Sequence, residues 1–274
     1  MPYPRILTIQ DISCVGQCSL TVALPVLSAC GLETCVLPSA VLSTHTGGFT
    51  GYTFRDLTDD MPAILAHWKR EGILFDGVYT GYLGSARQIG YVREILAAVR
   101  RPGAPAIVDP AMADNGKLYA GFDAAYVAEM RPLCADADYL LPNITEACIL
   151  ANVDYDPHMS FDDAFSLAQK LCDMGPSKVV VTGVEHGSSM SNVCFERGGK
   201  PFTVTGEKLG EQRSGTGDVF SAIIAADAVN EVPFRKSIEK ATRFAHDCVQ
   251  ASIDLGIPRT DGLAFEEKLH TLTQ

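Results

Sequence analysis

The chain has 274 residues, of which 47% are apolar and 20% charged, as in a globular protein of one large α/β domain or two small ones. Its net charge of −11 argues against nucleic acid as the main partner, because phosphate backbones need clustered lysine and arginine. No apolar run approaches the roughly 18–20 residues of a membrane span, and the N-terminus lacks the features of a signal peptide, so we expect a cytoplasmic protein.

Strand-like and helix-like segments alternate along the chain. The predicted strands are short, continuously apolar runs that cover residues 5–12, 34–42, 77–84, 106–112, 138–143 and 178–184. The predicted helices cover residues 19–31, 54–71, 86–100, 122–133, 160–174, 217–230 and 234–255. Residues 188–209 form two polar-edged strands around the turn "RGGK", which predicts an antiparallel hairpin at a sheet edge.

This alternation is typical of a mostly parallel sheet with helices on both faces, because strands covered on both sides read as unbroken apolar runs. We therefore predict one doubly wound α/β domain over residues 1–274. Ligands of such folds bind beyond the carboxyl ends of the strands. The nine cysteines lack zinc-ligand spacing and lie mostly in apolar segments, so we expect reduced, buried thiols rather than a metal site.

The stretch "RSGTGDVF" (213–220) places a carboxylate in a glycine-rich bend before a helix. Gly215 and Gly217 can adopt backbone angles closed to other residues, and the N–H groups at the start of the helix form an anion site. A carboxylate beside a bound phosphoryl group is repulsive unless Asp218 accepts a proton from an attacking hydroxyl. We expect the helix terminus to lower the pKa of Asp218. The alternative is an aspartate that only caps the helix.

Two further acidic residues follow predicted strands. Asp109 ends the strand in "AIVDPAM", and Glu146 lies in the first turn of a helix capped by Asn143 or Thr145. On adjacent strand ends these two carboxylates would hold Mg²⁺ against nucleotide phosphates, although Glu146 alone could merely complement the helix dipole. Thr182, at another strand end, is placed to meet a nucleotide phosphate.

The segment "VLSTHTGGFTGYTF" (41–54) has glycines, hydroxyl residues and aromatics but no apolar periodicity. We interpret it as a mobile loop that could cover a small aromatic ligand. His45 within it has no visible partner, so we assign it no acid–base role and regard a surface position as open. Tyr82, in "TGYLGS" (80–85), is placed at a strand end to line the same cavity.

Five of these stretches resemble the pyridoxal kinase family within the ribokinase superfamily: "RSGTGDVF", "IVDPAMADNGKLY", "LLPNITEA", "VYTGYLGS" and "LSTHTGG". The likeness runs from residue 6 to about residue 255, and "TGYLGS" together with "STHTGG" is its most specific part. It implies a ribokinase-like fold and ATP-dependent phosphorylation of the 5′-hydroxymethyl group of pyridoxal, pyridoxamine or pyridoxine. It also implies Mg²⁺ as cofactor and a homodimer, and leaves a monovalent cation open.

The resemblance also implies roles for individual residues. Asp218 corresponds to the general base. The anion hole corresponds to Gly215, Thr216 and Gly217. The family positions that bind Mg²⁺–ATP are occupied here by Asp109 and Glu146. The position that contacts a nucleotide phosphate is occupied by Thr182. The family positions that contact the pyridine ring are occupied here by Asp11, Thr46 and Tyr82.

The chain departs from the family pattern at three positions. Many members have serine in place of Asp11, and a carboxylate there could alter which B6 vitamer is preferred. Ala111 and Ala113 replace a valine and a glycine, which we expect to tune packing only. A hydroxymethylpyrimidine kinase of thiamine synthesis shares the base, anion hole and fold and is the main alternative. A non-catalytic B6-binding protein is a further one, although such a protein would be expected to lack Asp218.

Overall fold

The computed structural model describes residues 3–210 and 213–273. The strands, in chain order, are β1 Arg5–Ser13, β2 Glu33–Leu42, β3 Phe54–Asp56, β4 Gly77–Thr80, β5 Ala106–Val108, β6 Ala113–Asp114, β7 Lys117–Leu118, β8 Tyr139–Leu140, β9 Lys178–His186, β10 Ser189–Glu196 and β11 Phe202–Glu207. The helices are α1 Leu20–Ala29, α2 Met61–Glu71, α3 Ala86–Val99, α4 Ala124–Ala135, α5 Ile144–Ala151, α6 Phe161–Asp173, α7 Thr216–Val229 and α8 Phe234–Asp254.

Nine of these strands form one sheet in the order β11-β10-β9-β8-β5-β4-β1-β2-β3. The strands from β9 to β2 in that order run parallel, whereas β3 at one edge and β10–β11 at the other run antiparallel to their neighbours. The predicted fold class and the edge hairpin around "RGGK" are confirmed. The strand order changes direction between β1 and β4, and such a switch point opens a crevice for ligands.

Helices cover both faces of the sheet. One core cluster packs α2 to α6 against one face, and the other packs α1, α7 and α8 against the opposite face. Ile6 and Leu7, consecutive in β1, are both fully buried and belong to different clusters. This alternation explains why the strands read as continuous apolar runs in the sequence. None of the helices in the described residues has the length and apolarity needed to cross a bilayer.

The predicted helix over residues 54–71 is wrong in its first part. Phe54–Asp56 forms the edge strand β3, paired with Ala40–Leu42, and α2 begins only at Met61. Pro62 explains the late start, since proline fits the first turn of a helix but not its interior. The predicted strand 106–112 is likewise shorter, because β5 ends at Val108, just before the site described below.

Candidate active site

The carboxyl ends of β5 and β8 bring the predicted metal residues to one edge of the sheet. These strands are parallel neighbours, with Ile107 opposite Tyr139. Asp109 follows β5 directly, and Glu146 lies in the first turn of α5, which follows β8. The Ser221 hydroxyl of α7 donates a 2.8 Å hydrogen bond to Asp109 Oδ2. The structure therefore brings Asp109, Glu146 and the start of α7 together, as predicted.

The bend before α7 is packed against the segment that precedes α1. Gly215 has a φ of 82°, and a Cβ at this position would overlap the backbone carbonyl oxygen of Gln17. The Thr216 hydroxyl donates to the Arg213 carbonyl at 2.9 Å, and the Arg213 guanidinium donates to the Ile257 carbonyl at 2.9 Å. No side chain caps the N-terminus of α7 in the described structure. The bend is thus fixed, with helix N–H groups available for an anion.

Asp218 is partly buried in the first turn of α7, and its environment differs from our expectation. Burial is the main cause that raises its pKa, and the charge of Asp11 adds to this effect. The Ser19 backbone N–H and the Cys18 thiol oppose the rise by bonding the charged form. The prediction of a lowered pKa is therefore wrong, because desolvation outweighs the helix terminus. A raised pKa makes Asp218 a stronger proton acceptor.

The Glu146 carboxylate is buried and bound mainly to backbone. Oε1 accepts from Met112 N at 2.9 Å and Ala113 N at 3.3 Å, and Oε2 accepts from Asn143 N at 2.9 Å. Asn143, rather than Thr145, caps α5 and forms a reciprocal capping box with Glu146. Glu146 therefore fixes the turn after Asp109 and retains little free acceptor capacity for direct coordination of a metal.

The acidic cluster fits Mg²⁺ held together with phosphate. Asp109 is partly exposed, and burial with the nearby Asp218 raises its pKa to about 7. Burial and the charge of Asp109 likewise raise the pKa of Glu146. A cation would relieve this repulsion. Within residues 3–210 and 213–273 no three acidic, histidine or cysteine side chains converge as a complete metal site. Mg²⁺ usually takes one or two carboxylates and completes its shell with phosphate and water.

The remaining nucleotide residue, Thr182, lies beside α5 rather than at the end of its strand. β9 continues to His186, but Thr182 bridges to Asn143, and its N–H donates to the Pro142 carbonyl at 2.9 Å. Thr182 is therefore at the same edge of the sheet as Glu146.

The predicted ring-binding residues lie on β1, directly after β4 and in the 43–54 loop. Asp11 is buried near the end of β1, and Tyr82 follows β4 with its ring stacked on Phe122 at a centroid distance of 5.6 Å. Burial, and then the charge of Asp11, raise the pKa of Tyr82 to about 12, so the Tyr82 hydroxyl lies within electrostatic reach of Asp11. Thr46 is exposed in the 43–54 loop, and its contact with the ring remains a prediction.

His45 is buried, with 4% of its surface exposed, so the open alternative of a surface position is wrong. Its Nδ1 accepts from Gly47 N at 3.0 Å, and its Nε2 lies 2.6 Å from the Thr260 carbonyl oxygen. Because the Gly47 N–H can only donate, Nδ1 is unprotonated and Nε2 is the donor. Nε2 thus ties the loop to Thr260, and Nδ1 fixes the local turn at Gly47.

Cys18 and Ser221 are functional candidates that sequence reasoning missed. The Cys18 Sγ lies 3.4 Å from Asp218 Oδ2, and burial raises the thiol pKa well above its usual value, so the thiol stays protonated and donates. No local pattern links Cys18 to a residue 200 positions away. Ser221 was detectable, since it lies three residues after Asp218 on the same face of α7.

Replacing Cys18 with alanine is expected to lower kcat by about 3-fold to 10-fold, because a weak hydrogen bond that orients Asp218 is lost. Cys18→Ser keeps a donor and should stay within about 2-fold of the wild-type kcat. The test is to measure kcat of both variants by steady-state kinetics. Thermal unfolding is the control that both variants are folded. Equal losses in the two variants would show that the thiol serves packing rather than orientation.

The chain is similar to several known kinases. A sequence model of the phosphomethylpyrimidine kinase family matches residues 26–261. Pyridoxal kinase from Arabidopsis thaliana is 28% identical over 263 residues, which cover 90% of this chain and 80% of that protein. The crystal structure of pyridoxal kinase from Lactobacillus plantarum is 30% identical, with a TM-score of 0.91 and coverage of 98% and 96% of the two chains.

A further similar structure is that of a protein from Bacteroides thetaiotaomicron VPI-5482, provisionally named a phosphomethylpyrimidine kinase, in a crystal form with pyridoxal. It is 36% identical, has a TM-score of 0.95 and covers 99% of this chain and 96% of its own. The family match spans most of the chain, and the expected resemblance is confirmed. This chain therefore belongs to the phosphomethylpyrimidine kinase family and is a member of its pyridoxal kinase group.

Proposed function

We propose that the protein is an ATP-dependent kinase that phosphorylates the 5′-hydroxymethyl group of pyridoxal, pyridoxamine or pyridoxine. The observation that carries this proposal is the convergence of Asp109 and the first turn of α7 around Asp218. The pyridoxal kinase relatives, and the pyridoxal in the similar Bacteroides structure, support a B6 ring as the substrate. The sequence-based prediction of a pyridoxal kinase is thereby confirmed.

Each part of the site has a task in this reaction. The Asp218 carboxylate removes the proton of the substrate hydroxyl while its oxygen forms a bond to the γ-phosphorus and the bond to ADP breaks. The N–H groups of Gly215, Thr216 and Gly217 hold the phosphoryl oxygens. The thiol of Cys18 keeps Asp218 oriented towards the hydroxyl. Thr182 is placed for contact with a nucleotide phosphate.

Mg²⁺ would be held by Asp109 directly and by Glu146 through water, because the Glu146 oxygens already accept three backbone N–H groups. When bound, the ion neutralises charge on the ATP phosphates. Asp109 and Ser221 would then link the metal to the helix that carries the base. The single kinase domain over residues 1–274, the homodimer, the monovalent cation and the cytoplasmic location remain predictions.

A hydroxymethylpyrimidine kinase is the second candidate, because the matching family is described by the phosphomethylpyrimidine reaction. Both reactions use a hydroxymethyl group on a nitrogen heterocycle, so the base and anion hole do not separate them. The ring pocket at Asp11 and Tyr82 does. A non-catalytic binding protein is disfavoured, because Asp218 and its glycines are intact.

The test is ADP release with pyridoxal, pyridoxamine, pyridoxine and hydroxymethylpyrimidine, assayed side by side with Mg²⁺. We expect kcat/KM for at least one B6 vitamer to exceed that for hydroxymethylpyrimidine by about 10-fold or more. A preference for hydroxymethylpyrimidine would favour the second candidate. Vitamer binding without any ADP release would favour the non-catalytic one.

A further inference from the structure

We propose that Asp11 makes the ring pocket selective for a cationic substrate, through an ion pair with the primary ammonium group of pyridoxamine. This inference rests on the proposed function and adds to it the substrate that the pocket prefers. It concerns the one predicted ring contact at which this chain carries a charge.

Asp11 is held in a buried position by the strand that carries it. The register between β1 and β2 shifts between Gln10 and Ile12, so Asp11 lies beside an irregularity in the ladder, a feature that commonly re-aims a side chain near a site. The residue is only 4% exposed. The Ser13 hydroxyl donates to Asp11 Oδ2 at 2.8 Å and holds the carboxylate in place.

The charge of Asp11 has no cationic partner within residues 3–210 and 213–273, where no lysine or arginine forms an ion pair with it. The groups that bond the charged form are the hydroxyls of Ser13 and Ser19 and the backbone N–H of Asp11. The Asp218 carboxylate, which interacts electrostatically with Asp11, has the same sign. His45 lies nearby, but both of its ring nitrogens bond to backbone. A buried carboxylate in this setting is costly, and burial accordingly raises its pKa.

A cation supplied by the ligand removes this cost. Asp218 interacts electrostatically with both Asp109 and Asp11. The proposed function places the metal and the triphosphate at Asp109, which leaves Asp11 and Tyr82 for the ring. The stacked rings of Tyr82 and Phe122 offer an aromatic surface, and the Tyr82 hydroxyl interacts electrostatically with Asp11. Among the B6 vitamers, pyridoxamine carries a primary ammonium group near neutral pH, whereas pyridoxine and pyridoxal carry a neutral group at that position.

The test compares kcat/KM for pyridoxamine, pyridoxine and pyridoxal in the wild type, Asp11→Asn and Asp11→Ser. We expect both variants to lose about 10-fold to 100-fold for pyridoxamine, mainly through KM, and to stay within about 3-fold for the other two vitamers. Asp59→Asn is the matched control, because it removes the same charge from an exposed side chain and should change none of the three values.

Two results would overturn the proposal. Equal losses for all three vitamers would indicate that Asp11 pairs with the ring nitrogen or only supports the fold. Unchanged kinetics would show that no ligand group meets the carboxylate. Calorimetric titration of pyridoxamine and pyridoxine into the ATP-free protein is the second readout. It separates failure of this inference from failure of the proposed function, because it reports the preference of the pocket even if the wild type phosphorylates none of the vitamers.

Discussion

Asp218→Asn is expected to lower kcat by about 10²-fold to 10⁴-fold while ATP binding is largely retained. The amide has the shape of the carboxylate but cannot take the proton of the substrate hydroxyl. The substitution also removes one negative charge that interacts with both Asp109 and Asp11. The melting temperature should therefore equal or exceed that of the wild type, because a costly buried charge is lost. Loss of rate without loss of stability is the expected signature.

Three measurements check this result: steady-state ADP release, calorimetric binding of ATP and thermal unfolding. Asp218→Glu is the matched control, since it keeps a carboxylate but moves it by one methylene, and its rate should lie between those of the wild type and Asp218→Asn. If Asp218→Asn retains kcat within 10-fold, Asp218 is not the general base. The wild-type rate should also increase with pH, since the base must be deprotonated, and the raised pKa of Asp218 moves that increase to higher pH.

The fold was predictable because its strongest signals are local. The apolar runs of β1, β4 and β9 and the turn "RGGK" each identify an element from a few neighbouring residues. The edge strand β3 has no such signal. Its three residues are exposed, and they are extended only because they pair with β2. The extent of a short edge strand depends on a partner strand, which the local pattern does not contain.

The site was predictable in position but not in its electrostatics. Strand ends and the glycine-rich bend indicated where Asp109, Glu146 and Asp218 would meet. The direction of the Asp218 pKa shift depends on how deeply the folded chain buries that carboxylate. The contact between Cys18 and Asp218 likewise joins residues 200 positions apart, and nothing local encodes it. Residues that act through distant contacts require coordinates.

The two glycines of the bend should respond oppositely to alanine. At Gly215 the backbone has a φ of 82°, and a Cβ would overlap the Gln17 carbonyl oxygen. Gln17 cannot simply move aside, because its N–H bonds to the Asp261 carbonyl and Gly262 packs closely against it. Gly215→Ala should lower the free energy of unfolding by about 2–4 kcal/mol. It should also lower kcat by about 10²-fold, because the displaced bend no longer meets the phosphoryl group.

Gly217→Ala is the matched control, since a Cβ there meets no atom within 4 Å and the backbone is not in the left-handed region. Within the first turn of α7, alanine should keep the free energy of unfolding unchanged or raise it by up to about 1 kcal/mol. Denaturant unfolding measures the stability of both variants, and ADP release measures their activity. A stable Gly217→Ala protein with a raised KM for ATP would mean that the phosphates approach the bare Cα closely.

If Gly215→Ala is as stable and active as the wild type, the bend does not depend on its contact with Gln17, and the rigid anion hole proposed at the start of α7 is wrong.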